Sequence, residues 1–592
     1  MIGTQGNDTM KEKETTGAQA LVDSLAKAGV EVVFGYPGGS ALDIFDCLPE
    51  APFQFVLGRH EQGCIHMADG YARATGKVGV CLVTSGPGAT NTITGLATAN
   101  VDGIPVICIT GQVPISQIGT DAFQEVDMTG ISRAVTKHNF LVHSADEIPD
   151  IVAQAFYIAT HGKPGAVAID VPKNVQRELT RATYPERVSM RAYHPECVAA
   201  QTEIAKFAKM VNEAARPVLY VGGGVISAGA AKDVAALAHK AEIPVATTLM
   251  GLGAFDERDP LALRMAGMHG TAAANYAINE ADLIIALGCR FSDRVTGKIA
   301  QYAPKAKLIH VDCDCSSLNK NVHAHLAIHA DVKDVLTTAD ARIHPAKHTA
   351  WLKKIDGWKK ARPVAYKPMH EGVIMPQQVV EAIDSATGGR AIIVTDVGQH
   401  QMWAAQFFRH NRPRHFLSSG GMGTMGFGFP AAIGAQLAKP AERVVCVCGD
   451  GGAQMTFEEV VVAVEHKLPV TFVVVNNECL GMVRQWQQLF YKERYSGSIL
   501  SAKGRLPNER IAEAQVDYDY LPDFVKMAEA HGAEAYRVID PRKLEETLKK
   551  AIESERTSLV EVIVEPRANV YPMQPGGQGV DGMIFDPALA DC

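Results

Sequence analysis

The sequence predicts an α/β protein made of three doubly wound parallel-sheet domains, and three observations carry that expectation. Short apolar runs alternate with Ala-rich helical stretches, the βαβ pattern of a parallel sheet. The alternation comes in three successive series separated by polar segments. At 592 residues the chain is too long for one hydrophobic core, and at roughly 100 to 200 residues per domain it divides into about three or four.

The elements follow in order. Between residues 16 and 175, the runs 32–34, 79–84, 106–110 and 166–171 read as strands. A second series has strands at 217–221, 245–247, 283–287 and 308–311 and ends near Val335; a third has 391–395, 444–448, 470–475 and 559–564. Polar stretches at 183–195 and 344–371 read as connections. The domain plan is therefore a disordered arm over 1–15, an N-terminal domain over 16–185, a central domain over 195–345, a linker over 346–375 and a C-terminal domain with lid and tail over 376–592. At a constant offset of 364 residues, Ser85-Gly-Pro-Gly-Ala89 falls on Gly449-Asp-Gly-Gly-Ala453, and Pro105-Val106 falls on Pro469-Val470. Duplication of one fold explains this alignment; the competing reading is that any two doubly wound domains carry a glycine turn after a strand.

Composition excludes several classes. With 47% hydrophobic, 21% charged and 7% aromatic residues, the chain has the make-up of a folded globular protein. The net charge of -8 and the absence of a Lys/Arg cluster argue against a nucleic-acid partner. The most apolar region, 460–475, is interrupted by Glu465, His466, Lys467 and Pro469, so no membrane span is expected. The first sixteen residues have neither an apolar signal core nor an Arg-rich transit composition. Twelve Cys without a CxxC pair read as buried, reduced thiols of a cytoplasmic protein.

The strongest local chemistry lies at Gly449-Asp450-Gly451, directly after an apolar strand, with a second apolar strand ending in Asn476-Asn477. A glycine turn lets backbone N–H groups approach a diphosphate, and a carboxylate with an amide oxygen supplies hard ligands for Mg²⁺. Either motif alone is more often an ordinary turn; their order and strand context carry the signal. A second constellation, Arg59-His60-Glu61-Gln62, runs into a helical stretch, where Glu61 is either an acid at a helix start or a proton-exchanging carboxylate. The loops 35–39 and 85–91 are rich in Gly and small polar residues, suited to close approach of a ligand or to helix capping.

In combination these motifs resemble the acetolactate synthase family of thiamine-diphosphate enzymes, over nearly the whole of residues 16–579. The resemblance implies related thiamine-diphosphate-binding folds for the first and third domains and an FAD-binding fold for the middle one. It implies Mg²⁺ held by Asp450, Asn477 and the backbone carbonyl of Cys479, with Glu61 as the acid that activates the cofactor. Gly38, Glu61, Gln399, His400, Gly423, Met425, Asp450, Gly451, Gly452, Asn477, Gly481 and Met482 fall on thiamine-diphosphate positions, with Met425 as the apolar wedge beneath the bent cofactor. Gln124 and Lys173 fall on catalytic positions beside Glu61, and Phe123, Arg294 and Trp486 on substrate positions. The segments 222–224, 247–251, 267–270 and 288–297 resemble flavin-binding stretches, giving Gly223, Thr248, Leu249, Met250, His269, Gly288, Arg290, Asp293, Arg294, Asp312 and Asp331 as FAD positions in a structural, non-redox role.

The implied reaction decarboxylates pyruvate and transfers the two-carbon unit to pyruvate or 2-ketobutyrate, the first common step of branched-chain amino acid synthesis. An indole at Trp486 offers a flat wall that discriminates acceptors by about 1 to 3 kcal/mol per methylene. The family also implies a homodimer or dimer of dimers, since one cofactor is served by two chains, and a small regulatory subunit. The departures are Ser292 for a usual Asp, Lys163 for a usual flavin-contacting Arg, the Glu478-Cys479 pair near the metal, and a longer segment over 496–520. Rival readings are a flavin-dependent pyruvate oxidase, another thiamine-dependent carboligase, and a catalytically silent nucleotide-binding protein; intact Glu61, Asp450 and Asn477 argue against silence.

Overall fold

The computed structural model describes residues 14–188, 190–500 and 522–589. The arm expected over 1–15 lies outside these apart from its last two residues, and only 496–500 of the longer segment is described. The chain starts with the two-residue strand β1 (Thr15–Thr16), then β2 (Val32–Tyr36), β3 (Gln54–Leu57), β4 (Gly79–Val83), β5 (Val106–Gln112), β6 (His138–Leu141), β7 (Ala166–Pro172) and β8 (Leu179–Thr180). β1 and β8 pair antiparallel and tie the start of the domain to its end. The other six form a parallel sheet in the order β3-β2-β4-β5-β7-β6.

The middle sheet contains β9 (Pro217–Val221), β10 (Val245–Thr247), β11 (Ala262–Met265), β12 (Leu283–Leu287), β13 (Lys307–Asp312) and β14 (Leu326–His329), all parallel, in the order β11-β10-β9-β12-β13-β14. The third contains β15 (Ile392–Thr395), β16 (Phe416–Leu417), β17 (Val444–Gly449), β18 (Thr471–Asn476), β19 (Glu534–Val538) and β20 (Ser558–Ile563), in the order β16-β15-β17-β18-β20-β19. Counting strands as they appear within each sheet, the first and third share one order, 2-1-3-4-6-5, and the middle one has 3-2-1-4-5-6. The latter is the dinucleotide-binding arrangement, with its ligand crevice between the first and fourth strands.

Eight strands escaped the sequence reading: the two-residue β1 and β8, and β3, β6, β11, β14, β16 and β19, each of these six at an edge of its six-stranded sheet. The cause is physical. A central parallel strand is buried on both faces and reads as a continuous apolar run, whereas an edge strand such as His138–Leu141 or Glu534–Val538 is half-buried and carries polar residues. The linker expected over 346–375 contains the helix Thr349–Ala361, whose Trp351 and Ile355 are buried and whose Trp351 indole donates to the Pro217 carbonyl at 3.1 Å. Interspersed lysines hid its apolar stripe. Among the described residues the thiols are also less uniformly buried than expected: Cys47, Cys197 and Cys313 are partly buried and Cys315 is exposed.

The first and third domains pack through the helices Glu61–Thr75 and Gly428–Ala438, inside one shared apolar core. The crossing is symmetric. A Cβ on Gly70 would collide with the Ala431 carbonyl, and one on Gly434 with the Met67 carbonyl. Residues 70 and 434, like 67 and 431, are related by the 364 offset. Equivalent helices of two equal folds thus meet about a pseudo-twofold axis, which shared topology adds to the glycine-turn alignment in favour of duplication. Among the described residues, no helix is long and apolar enough to cross a membrane.

Candidate active site

In open parallel sheets ligands sit beyond the C-terminal ends of the strands. At that end of the first sheet the Lys173 ammonium donates to the Gly39 carbonyl at 2.8 Å, and Ser40 N–H to the Thr84 hydroxyl at 3.2 Å. Gly38 lies so close to Thr84 that a Cβ there would overlap its side chain. Glu61 is the first residue of its helix, and its carboxylate accepts from the Asn91 amide at 3.0 Å. Gln124 adopts φ +60° with its backbone against Gly86, and the neighbouring Phe123 is 87% exposed. The loop that carries both is fastened by Gln112, which donates to the Val126 carbonyl and to Asp170, each at 2.9 Å. Burial pushes the Asp170 carboxyl up to about 7.

A carboxylate from the third domain holds the start of the Glu61 helix. Glu459 is fully buried and accepts from the backbone N–H of Arg59 at 3.0 Å and of His60 at 3.0 Å. Arg59 in turn pairs with Glu465 at 2.6 Å. Burial drives the Glu459 carboxyl up to about 8, against the pull of the two N–H donors.

At the corresponding end of the third sheet, β17 and β18 run into Asp450 and Asn477, which line one small cavity with Gln399, His400, Met425, Gly451, Gly452, Cys479, Gly481 and Met482. Glycines shape it: a Cβ at Gly481 would collide with Gln399, one at Gly452 with Asp396, and one at Gly449 would come within 2.8 Å of the His400 ring. Asp450 is buried, one carboxylate oxygen has no hydrogen-bond partner, and burial pushes its carboxyl up to about 7. A buried carboxylate in this state calls for a cation. Asn477 presents its amide nitrogen to Gln399 at 3.3 Å, while its oxygen faces the Cys479 N–H at 3.3 Å. No group of three or more His, Cys, Asp or Glu among the described residues could hold a metal; a carboxylate, an amide oxygen and a backbone carbonyl are the donor set that suits Mg²⁺ when diphosphate and water complete it. The Cys479 thiol is pushed up to about 12 by burial and offers no thiolate at neutral pH.

A larger cavity of about 730 Å³ lies where all three domains meet. It opens at the switch point between β9 and β12, where Gly224 and Gly288 pack so closely that a Cβ on Gly224 would lie 2.6 Å from Gly288 Cα. Gly223, Thr248, Leu249, Met250, His269, Gly288, Arg290, Asp293, Arg294, Asp312 and Asp331 all line it, a size and shape suited to a dinucleotide. Asp312 ends β13, with its carboxyl pushed up to about 6 by burial, and His269 is pulled down to about 4 for the same reason. Lys163 reaches this cavity and pairs with Asp314 at 3.3 Å, so a cation does occupy the place of the usual Arg. Ser292 lines it beside the Asp293–Arg294 pair. Met425 and Met482 line both cavities, and Trp486 lines the larger one alone.

Five expected residues stand apart. Gly38, Glu61, Phe123, Gln124 and Lys173 line neither cavity, and Gly423 lines the larger one alone. One chain therefore carries an acid half and a cation half that share neither of these two cavities. Sequence reasoning also missed Asp396, whose carboxyl accepts from Gly428 N–H and Val397 N–H at 2.8 Å each and is pushed up to about 6 by burial. An Asp ending an apolar strand two residues before Gly398 was a readable signal for it.

Residues 15–131, 204–338 and 396–562 match the families described as thiamine pyrophosphate enzyme N-terminal TPP binding domain, central domain and C-terminal TPP binding domain. The "probable acetolactate synthase large subunit" of Methanocaldococcus jannaschii is 46% identical over 581 residues, covering 96% of this chain and 95% of that protein. The "acetolactate synthase isozyme 3 large subunit" of Escherichia coli is 44% identical over 581 residues, covering 96% and 98%. The "acetolactate synthase large subunit" of Haemophilus influenzae is 43% identical over 583 residues, covering 97% and 98%.

Proposed function

The chain belongs to the acetolactate synthase large-subunit family of thiamine pyrophosphate enzymes and catalyses the acetolactate synthase reaction, and from that premise we propose how its residues divide the work. The buried Asp450 oxygen without a partner, inside a glycine cradle beside Asn477, is the observation that carries the assignment of the cofactor end. Asp450, Asn477 and the Cys479 carbonyl would hold Mg²⁺, and Gly451, Gly452, Gln399, His400, Gly481 and Met482 would receive the diphosphate and thiazolium end. Thiamine diphosphate, when bound, supplies the electron sink for decarboxylation.

Glu61, held by Asn91 and by the helix start that Glu459 clamps, exchanges the proton that activates the cofactor. Met425 and Met482 exclude water from the reacting end. Gln124, Phe123 and Lys173 line the approach for the 2-keto acids, and Arg294 with Trp486 sets the acceptor, with 2-ketobutyrate favoured over pyruvate. The larger cavity holds FAD in a structural role, through Gly223, 248–250, Gly288, Arg290, Asp312 and Asp331. The acid and cation halves of one chain share neither of the two cavities described, which supports a homodimer as the working unit, each site drawing on both chains. The relatives are named large subunits, which supports a small regulatory partner. The cytoplasm is the compartment that fits free thiols and a biosynthetic reaction.

Product analysis tests this reading. With thiamine diphosphate, Mg²⁺ and FAD, pyruvate alone gives acetolactate, added 2-ketobutyrate diverts product to acetohydroxybutyrate, and Trp486→Leu weakens that diversion about tenfold. Acetyl phosphate with peroxide, and flavin bleaching at each turnover, would instead identify a pyruvate oxidase.

A further inference from the structure

One buried carboxylate touches all three domains. Asp102 is the last residue of the helix Ile93–Asp102, where the helix dipole disfavours an acid. Its side chain is fully buried. One oxygen accepts from Gly421 N–H at 2.7 Å, and the other from Gly420 N–H and from the Arg73 guanidinium, both at 3.0 Å. Arg73 is itself buried, bonded to Asp69, and donates to the Ser418 carbonyl at 2.8 Å. One turn earlier on the Asp102 helix, the Thr98 hydroxyl meets the Thr424 hydroxyl at 2.7 Å. Residues 418–424 are thus fastened at four points to the first domain, just ahead of Met425.

The other side of that loop faces the flavin cavity. Met250 occupies the space a Cβ on Gly420 would need. Arg290 reaches within 3.9 Å of Asp102 and donates to the Val101 carbonyl at 2.9 Å. Both line the larger cavity. We propose that Asp102 is the positioning residue that couples the two cavities: by fixing Gly420 and Gly421 against Arg290 and Met250, it makes flavin binding and thiamine-diphosphate binding reinforce each other. The inference rests on the assignment of the two cavities given above, and it gives a non-redox flavin a mechanical task. A ligand that orders Arg290 and Met250 restricts the loop, so the second ligand has less ordering left to do. By linkage the coupling is reciprocal.

Two measurements test it. In the cofactor-free protein, Asp102→Asn should speed amide exchange at Gly420 and Gly421 at least about tenfold, a readout that needs no ligand. In wild type, saturating FAD should tighten thiamine diphosphate, with Mg²⁺ present, by roughly 5- to 150-fold, and thiamine diphosphate should tighten FAD by the same factor. Asp102→Asn should bring that factor towards one while FAD still binds. Arg290→Met, at a side chain that is 38% exposed, covers the case in which the buried variant does not fold: it should leave the loop amides protected yet lower the factor. Unchanged exchange in Asp102→Asn, or flavin binding with no effect on thiamine diphosphate, overturns the coupling. A wild type that binds no flavin overturns the flavin assignment and the coupling with it.

Discussion

The first and third domains share a strand order and a symmetric helix crossing, yet at equivalent positions they have opposite chemistry. At the 364 offset Glu61 corresponds to Met425, and Ser85-Gly-Pro-Gly-Ala89 to Gly449-Asp-Gly-Gly-Ala453. One copy keeps its turn neutral and places an acid at the helix start; the other places the acid in the turn, buried, with an orphan oxygen, and an apolar thioether where the first has its carboxylate. The two copies are alike where they pack, and they differ at the strand ends that meet ligands. Even the interface is unequal in one place: Glu459 clamps the partner domain's helix, and its counterpart at the offset is Gly95.

The largest effects should come from breaking the division of labour. Glu61→Gln should lower turnover by about 10²- to 10⁴-fold while thiamine diphosphate and Mg²⁺ still bind. Asp450→Asn should instead abolish the Mg²⁺ dependence of cofactor binding, seen by titration calorimetry. Equal loss of cofactor affinity in both would mean that the halves are not specialised.

Next in size, the symmetry of the helix crossing predicts that Gly70→Ala and Gly434→Ala each cost about 1 to 3 kcal/mol by overpacking, and by similar amounts. Denaturant unfolding checks this; a cost at one site only would break the pseudo-twofold account.

The smallest effect concerns the unequal clamp. The Glu459 carboxyl titrates near 8 in the fold, above its unfolded value of about 4.5. Between those values the folded state holds a proton that the unfolded state has released, so this group's contribution to stability is full below about 4.5 and is lost as pH rises through about 8. Glu459→Gln should therefore flatten the fall in thermal stability between pH 5 and pH 8. An unchanged slope would mean that Glu459 is ionised in the fold.

What the sequence disclosed follows the same physics. Central strands were legible because burial on both faces leaves an uninterrupted apolar run; the six edge strands were not. Asp450 and Asn477 were legible because each is a short motif at the end of such a run. The flavin residues and Trp486 came from resemblance, since nothing in isolated Gly, Met and Asp residues spells a dinucleotide. Asp102, Arg73 and Glu459 were illegible because their partners lie hundreds of residues away: Asp102 with Gly420, Arg73 with Ser418, Glu459 with His60.

The central claim, that each working site joins the acid half of one chain to the cation half of another, is tested by mixing two inactive proteins. Glu61→Gln and Asp450→Asn chains, unfolded and refolded together in equal amounts, should form mixed dimers with one intact site and one doubly impaired, restoring about a quarter of wild-type activity. If both halves of a site came from the same chain, no mixture would contain an intact site, and activity would stay at the level of the separate variants.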